Sequence, residues 1–169
     1  MHIRPEREAE YSLLYDFVKE AFSTAPHVDG DEQDYVNKLR ASEQYLPELA
    51  LVAEENGNII GHIMFTTMKI KGEKACFTAL LLSPLSVALP WRRQGVGAAL
   101  VWEGFRLAKE KEYPAVFVVG DPQYYLRFDF KEVSEFEILN DSDIPNMYVM
   151  GCELVPEGLK NKQGSIQIV

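Results

Sequence analysis

Apolar residues near the start of the chain recur every three to four positions. Leu13, Leu14, Phe17, Val18 and Phe22 make one helical stripe, with Glu and Asp near its start. The pattern predicts a short strand at residues 2–4 and then a helix opened by Pro5-Glu6. "STAPHVDGD" has the composition of a loop. "DEQDYVNKLRAS" predicts a second short helix, with Asp31 as its cap and Asp34 three residues on.

The period then changes. "ELALVAEENGNIIGHIMFTTMKI" reads as two strands around Asn56-Gly57, because both central positions of such a turn want positive φ. "KACFTALLLSPLSVAL" is a third β-like run. It is nearly all apolar from Phe77 to Leu82, as in a strand covered on both faces. Ser83-Pro84 interrupts it. Proline cannot donate a ladder hydrogen bond, so the strand must bulge or splay there. A helix follows, to about Lys111. Val96, Leu100 and Leu107 mark its apolar line, and Ala99, Val101 and Phe105 broaden it. Lys109 and Lys111 sit at the end that favours cations. Pro114 stops it. "AVFVVG" is a short buried strand, "DPQYYLRF" a short helix, and "DFKEVSEFEI" and "NMYVMGCEL" two closing strands. The order β-α-α-β-β-β-α-β-α-β-β predicts an α/β chain, a mixed sheet with helices on its faces.

Composition narrows this reading. A chain of 169 residues suits one domain, spanning residues 1–169, and can bury about 70% of its unfolded surface. No apolar run approaches the ~20 residues of a membrane helix. The first residues lack an apolar signal core, and Cys76 and Cys152 are too few for a disulfide scaffold, so the expected location is the cytoplasm. The net charge of −9 argues against nucleic-acid binding, which needs a basic face. It can steer a cationic substrate, although keeping the protein soluble is the simpler role.

"WRRQGVGAAL", residues 91–100, departs from this ordinary pattern. Glycine forms helices poorly, yet two glycines and two cations open a helix here. Helix N-termini carry N–H groups without partners and partial positive charge. Glycines let backbone approach a ligand closely. The stretch therefore has the makings of an anion cradle, or of a tight turn with solvated arginines. A P-loop is absent. The dinucleotide fingerprint fails because Leu100 stands at its last position and no acidic ribose partner follows.

A third pattern fits. Arg92-Arg93-Gln94-Gly95-Val96-Gly97 resembles the Arg/Gln-x-x-Gly-x-Gly/Ala loop that holds the acyl-CoA pyrophosphate in GNAT N-acetyltransferases. "LSPLSVALP" before it and "AALVWEGFRLAKEK" after it are similar to that family's splayed fourth strand and long helix. "GDPQYYLRFDF", residues 120–130, resembles the family's Tyr-x-x-x-Gly-Phe segment, in the form found in predicted acetyltransferases of the YhbS type. The resemblance covers essentially the whole chain. It departs in three places: Asp129 replaces the glycine of the Gly-Phe pair, proline comes one residue late as Pro90, and Gly120-Asp121-Pro122 replaces a common asparagine.

The resemblance implies a GNAT fold: a mixed sheet of about six to seven strands, splayed at the fourth and flanked by helices. It implies acetyl-CoA as cosubstrate, no metal, and an amine acceptor, small molecule or protein, attacking directly in a ternary complex. A homodimer is compatible with it, since GNAT proteins are often dimers. The backbone from Arg93 to Ala98 (Arg93, Gln94, Gly95, Val96, Gly97, Ala98) would meet the pyrophosphate, with Arg92 as a further cation. Leu85, Ser86 and Val87 would pair with the pantetheine arm like an added strand. The Val87 N–H is a candidate oxyanion donor, worth ~3 kcal/mol. Tyr125 would be the general acid on the leaving thiol and would touch the cofactor; packing of its ring is the alternative role.

No general base is legible. Ser83 and Ser86 are poor bases, and Glu54 and Glu55 border a hairpin. His62, on a strand, is expected to be structural rather than a base, and His27, in the helix–helix loop, could line the acceptor side but is not the preferred reading. A water relay is the preferred route. Cys76 and Cys152 are expected to be buried small hydrophobes. Asp29, Asp31, Glu32 and Asp34 are expected to be a solvated capping loop rather than an amine site. The competing function is a catalytically inert acyl-CoA-binding or sensing module of the same fold.

Overall fold

A computed structural model describes residues 1–25 and 29–169. His27, weighed above as an acceptor-side residue, lies outside the described residues. The elements are β1 (His2–Pro5), α1 (Tyr11–Ser23), α2 (Glu32–Arg40), β2 (Tyr45–Glu55), β3 (Asn58–Lys71), β4 (Cys76–Val87), α3 (Val96–Glu110), β5 (Ala115–Val119), α4 (Pro122–Tyr125), β6 (Lys131–Glu132), β7 (Ile138–Asn140), β8 (Val149–Glu153) and β9 (Gly164–Ile166). They belong to two compact units. The first is Met1–Thr66 with Ser83–Leu107, and the second is Thr67–Leu82 with Ala108–Val169.

In the first unit β1, β2 and β3 run antiparallel, with Ile3 opposite Ala53 and Val52 opposite His62. The hairpin turns at Asn56 and Gly57, with φ of 51° and 80°. Side chains alternate along β3. Met64 packs with Val18, Val36 and Ala50, so α1 and α2 cover that face. Gly61 and Phe65 lie on the other face, under α3: a Cβ on Gly61 would stand 2.8 Å from Leu100 Cδ1, and the Phe65 and Phe105 ring centroids are 6.4 Å apart. Burial on both faces explains why β3 reads as an almost unbroken apolar run.

In the second unit β4 and β5 are parallel, with Leu80 opposite Val116. β8 pairs antiparallel with β5 and β6, while β9 joins β3 and β7. Ile70, Ala79, Ala115, Phe117, Val149 and Ile166 belong to one buried cluster here. No helix of the described residues is long and apolar enough to cross a membrane.

The mixed sheet with flanking helices is as expected, but it has nine strands among the described residues. The first helix begins at Tyr11, not Pro5. Pro5 stays in β1, opposite Leu51. β1 ends the strand order, where a residue without an N–H is tolerated. "DFKEVSEFEI" is not one strand: a 3-10 turn at Val133–Phe136 and a left-handed Glu137 divide it into β6 and β7. Asp31 sits at the N-cap of α2 without a side-chain cap bond; Glu32 instead accepts from the N–H groups of Asp29 and Gly30. Cys152 is buried as expected, whereas Cys76 is exposed at the start of β4.

Gly104 fixes how closely α3 can lie on β3. A Cβ there would stand 2.5 Å from Phe65 Cζ, and the Phe65 ring is fully buried. Gly104→Val should therefore destabilise the protein by about 2–3 kcal/mol, the cost of overpacking a filled core. Urea denaturation would measure it, and an unchanged midpoint would show that the ring can yield.

Candidate active site

Within the first unit the site begins where β4 loses a neighbour. Pairing with β5 stops at Leu82 opposite Val118. From Ser83 to Val87, β4 pairs with β3 alone among the described residues. The Ala88 N–H donates to Ile60 O at 2.9 Å, and Ser86 O lies 3.5 Å from where a Cβ on Gly61 would be. Backbone direction alternates along a strand. The N–H and C=O of Leu85 and Val87 therefore face the unpaired edge, and those of Ser86 face β3. The three residues expected to offer backbone to a ligand therefore differ: Leu85 and Val87 present theirs to the unpaired edge and Ser86 presents its own to β3.

The loop after β4 carries a 3-10 turn at Leu89–Trp91, then left-handed backbone at Arg93 (φ 61°) and Gly95 (φ 86°). The first α-helical bond of α3 runs from the Ala99 N–H to Gly95 O, 3.0 Å. The N–H groups of Val96, Gly97 and Ala98 have no partner inside the helix and sit at its positive end. A helix end of this kind can hold an anion. Arg92 does something other than expected. Its Nε donates to Val87 O at 3.1 Å and its Nη2 to Ala21 O at 2.5 Å. It ties the end of α1 to the end of β4, and exposed Arg93 is the cation that faces solvent.

Tyr125 belongs to the second unit. The Asp121 carboxylate caps α4 by accepting from the Gln123 N–H at 2.9 Å, with Pro122 in the first turn. The Tyr125 ring lies over Gly120, where a Cβ would stand 2.7 Å from Tyr125 Cδ2. It packs edge-on against Phe130, with centroids 5.6 Å apart. Its hydroxyl makes no hydrogen bond among the described residues. Burial, helped by Tyr124, pushes its pKa above the ordinary tyrosine value, so the group stays protonated. Tyr124 differs in its partner: Arg127 stacks over its ring at 4.6 Å. Asp129 adopts φ 69°, the conformation that a glycine would supply at this turn.

Sequence reasoning missed a buried polar network in the first unit. The Glu6 carboxylate, fully buried, accepts from Arg40 Nε (2.7 Å) and Nη2 (2.9 Å), from the Tyr45 hydroxyl (2.8 Å) and from His62 Nε2 (2.8 Å). The Tyr11 hydroxyl lies 3.3 Å from that of Tyr45, and Arg40 stacks over the Tyr11 ring at 4.2 Å. Burial alone would raise the pKa of Glu6. The hydrogen bonds and charges of Arg40 and His62 outweigh it and hold the carboxyl at about 2.

The remaining candidates are committed elsewhere. Glu54 pairs with Arg4 at 3.2 Å. Burial pushes the Cys152 thiol up to about 12, far from a nucleophilic thiolate. Carboxylate oxygens of Asp29, Asp31 and Glu32 lie within 4.8 Å of one another, but Glu32 is occupied in capping and Asp34 accepts from Tyr15.

The family model described as an acetyltransferase (GNAT) domain matches residues 2–133. The uncharacterized N-acetyltransferase YjhQ of Escherichia coli K12 is 35% identical over 100 residues, 59% of this chain and 55% of that protein. The uncharacterized N-acetyltransferase YhbS of the same strain is 34% identical over 91 residues, 53% of each. The chain spans about half the length of the curated relatives it matches. Among solved structures, the E. coli GNAT family N-acetyltransferase YhbS in complex with CoA is similar in fold, with a TM-score of 0.87 at 24% identity over 99% of this chain and 89% of that one. A GNAT family acetyltransferase from Brucella melitensis in complex with acetyl-CoA gives a TM-score of 0.75 at 28% identity, covering 92% and 88%.

The Glu6 network sets an acid limit on stability. A carboxyl held at about 2 when folded, against 4.5 ordinarily, adds stability that is complete above the higher value and lost as pH falls toward the lower. Wild type should exceed Glu6→Gln by about 3 kcal/mol near neutrality, because the substitution leaves Arg40 buried without its counter-charge. The gap should close as pH drops from 4.5 to about 2. Urea melts of both proteins across that range measure it; a constant gap would remove the electrostatic account.

Proposed function

The chain belongs to the GNAT acetyltransferase domain family, and from that premise we propose that it is an acetyl-CoA-dependent N-acetyltransferase acting on a primary amine, small molecule or protein. The observation that carries the reading is a juxtaposition within one unit. An unpaired backbone edge at Leu85 and Val87 runs directly into a loop that ends in the free N–H groups of α3. A pantetheine arm with two amides suits the edge, and a pyrophosphate suits the helix end. The Brucella neighbour, similar to this chain, holds acetyl-CoA. Residues 1–169 form a single catalytic domain in this reading, since neither unit is a continuous segment. Acetyl-CoA as cosubstrate suits a cytoplasmic protein.

The roles follow from this chain's own groups. The N–H groups of Val96, Gly97 and Ala98, with Arg93, Gln94 and Gly95 shaping the loop, neutralise the pyrophosphate. The Val87 N–H, whose carbonyl is held by Arg92, is aimed off the strand edge and donates to the tetrahedral oxyanion. The amine attacks the thioester carbonyl directly: the C–N bond forms, the nitrogen gives up its surplus proton, the C–S bond breaks and CoA leaves as thiolate. Tyr125 serves that thiolate. Its raised pKa makes full proton transfer to a thiol of ordinary pKa uphill. It therefore acts first as a hydrogen-bond donor to the developing sulfur anion, and proton transfer completes as the sulfur becomes more basic out of water. An inert CoA-binding module needs the same cradle but gives no reason to hold the Tyr125 hydroxyl unpartnered.

Thiol release from acetyl-CoA against a panel of amines tests the reading, with calorimetry of CoA binding as the companion measurement. An amine should accelerate release. Tyr125→Phe should lower kcat by about 10- to 100-fold, the worth of a hydrogen bond to a charged group, while the CoA affinity stays within about twofold. CoA binding with no amine-stimulated release would favour the sensing module. Unchanged turnover in Tyr125→Phe would remove its role.

A further inference from the structure

The proposed reaction lacks a group to take the proton from the attacking amine, and the first unit contains a buried candidate. His62 is fully buried and Ser86 is 4% exposed. Among the described residues each has a polar atom without a hydrogen-bond partner, Nδ1 of His62 and Oγ of Ser86, so the two do not bond to each other at rest. The Ala88-to-Ile60 bond registers β4 against β3 and sets Ser86 across from His62. Gly61 faces α3, so its neighbour His62 and the opposed Ser86 share the other face. The two unpartnered atoms thus belong to facing positions of adjacent strands.

Glu6 decides which His62 nitrogen is available. Its carboxylate is ionised and can only accept, so His62 Nε2 carries the proton in their 2.8 Å bond. Neutral His62 then presents a bare lone pair on Nδ1, on the face that bears the Ser86 hydroxyl. The charged and titratable groups around the ring are Glu6 after β1, Arg40 on α2, Tyr45 on β2 and Tyr11 on α1. Arg40 balances Glu6 without displacing it from His62. A second proton on His62 would therefore make an imidazolium held against a carboxylate. Carboxylate, imidazole and hydroxyl lie in the order of a proton relay. Ser86 also stands between Leu85 and Val87, the residues turned to hold the thioester arm.

We propose that His62, through Ser86 and backed by Glu6, accepts the proton of the acceptor amine. The inference rests on the acetyltransferase reading above. The ammonium N–H bond breaks, and its proton passes, directly or through one water, to Ser86 Oγ. The Ser86 hydroxyl proton moves to His62 Nδ1. The freed amine lone pair attacks the thioester carbonyl and the C–S bond breaks; the nitrogen's second surplus proton leaves as the amide forms and balances the charge of the departing thiolate. The imidazolium then returns its proton to solvent by the same path. Ser86 Oγ points off the sheet face rather than along the Leu85 and Val87 edge, so it acts only as a conduit and not as a nucleophile; His62 is a relay residue that never touches substrate.

Two measurements test this, and only one needs an acceptor. The full chain has three histidines, so nitrogen-15 histidine labelling with His62→Gln assigns the His62 ring. The expected state is protonated Nε2 and bare Nδ1, with the Nδ1 resonance moving in Ser86→Ala. A protonated Nδ1 overturns the relay. The second measurement uses the amine that gives the fastest thiol release. Ser86→Ala should lower kcat by about 10²-fold at unchanged KM for acetyl-CoA, and Ser86→Thr should restore most of it. His62→Gln should lower kcat by a similar factor. Ser86→Ala or His62→Gln with kcat within about twofold of wild type overturns the proposal. Thermal melts show whether each variant is folded; Ser86→Ala removes one buried atom and keeps the test alive if His62→Gln does not fold. If no amine is turned over, the enzyme reading fails while the ring measurement still reports on the relay.

Discussion

Backbone N–H and C=O groups removed from water must find partners, and one strand here is left with half of its partners missing. β4 is a two-sided strand as far as Leu82 and a one-sided strand beyond it. Much of the first unit can be read as arranged around that exposed edge. Arg92 occupies the Val87 carbonyl and so fixes the direction of the Val87 N–H. The same guanidinium grips Ala21 at the end of α1, so the edge and the helix that borders it are set together. Gly61 removes the Cβ that would push Val96 and Leu100 away, letting the first turn of α3 lie close to the strands. Left-handed backbone at Arg93 and Gly95 turns the chain sharply enough to bring that first turn into place. Each device is small, and each keeps a row of unsatisfied hydrogen-bonding groups in a fixed direction.

The elements legible in sequence were those whose burial imposes a period. The α1 stripe, the Asn56-Gly57 hairpin and the apolar run of β4 follow from faces that meet a core. Ser83-Pro84 marked the end of two-sided pairing because proline cannot sustain a ladder. "WRRQGVGAAL" stood out for the opposite reason: it violates helix propensity, and left-handed backbone at Arg93 and Gly95 accounts for part of that. The failures share an explanation. β6, β7 and β9 have two or three residues each, too few to show alternation. Pro5 looked like a helix opener because an N-terminal helical position and an edge-strand position both tolerate a missing N–H. Arg92 looked like a phosphate ligand because sequence shows a cation's presence but not which oxygen it reaches.

The Glu6 network was illegible on stronger grounds. Its members are separated by 34, 39 and 56 residues along the chain. No local rule joins a carboxylate after a first strand to a histidine on the third. A weak signal existed: His62 sits in a run otherwise fully apolar, and a buried polar group needs a partner somewhere. That argument says a partner must exist without saying which residue it is. Glu6, read as the start of a helix, gave no sign of being it.

The energetic cost of the network bears on why it persists. Replacing a buried ion pair by well-packed apolar residues is often neutral or stabilising, so Glu6, Arg40 and His62 are not explained by stability. Among the described residues His62 Nδ1 and Ser86 Oγ also lack protein partners, and a buried group left wholly unsatisfied costs about 1–3 kcal/mol. A phenylalanine on β3 with an alanine on β4 would fill much of the same space without that cost. An acceptor and a donor at facing positions of adjacent strands, next to the one-sided stretch of β4, are what the proposed relay would use. The polarity of the site supports this direction of transfer. Glu6 and Arg40 cancel before the histidine is counted, so the network can take one positive charge and still keep a carboxylate against it. Without Glu6 the protonated ring would be an isolated buried cation. Without Arg40 the carboxylate would carry its own desolvation cost and draw the proton to itself. In the proposed relay each member of the network therefore has a separate task.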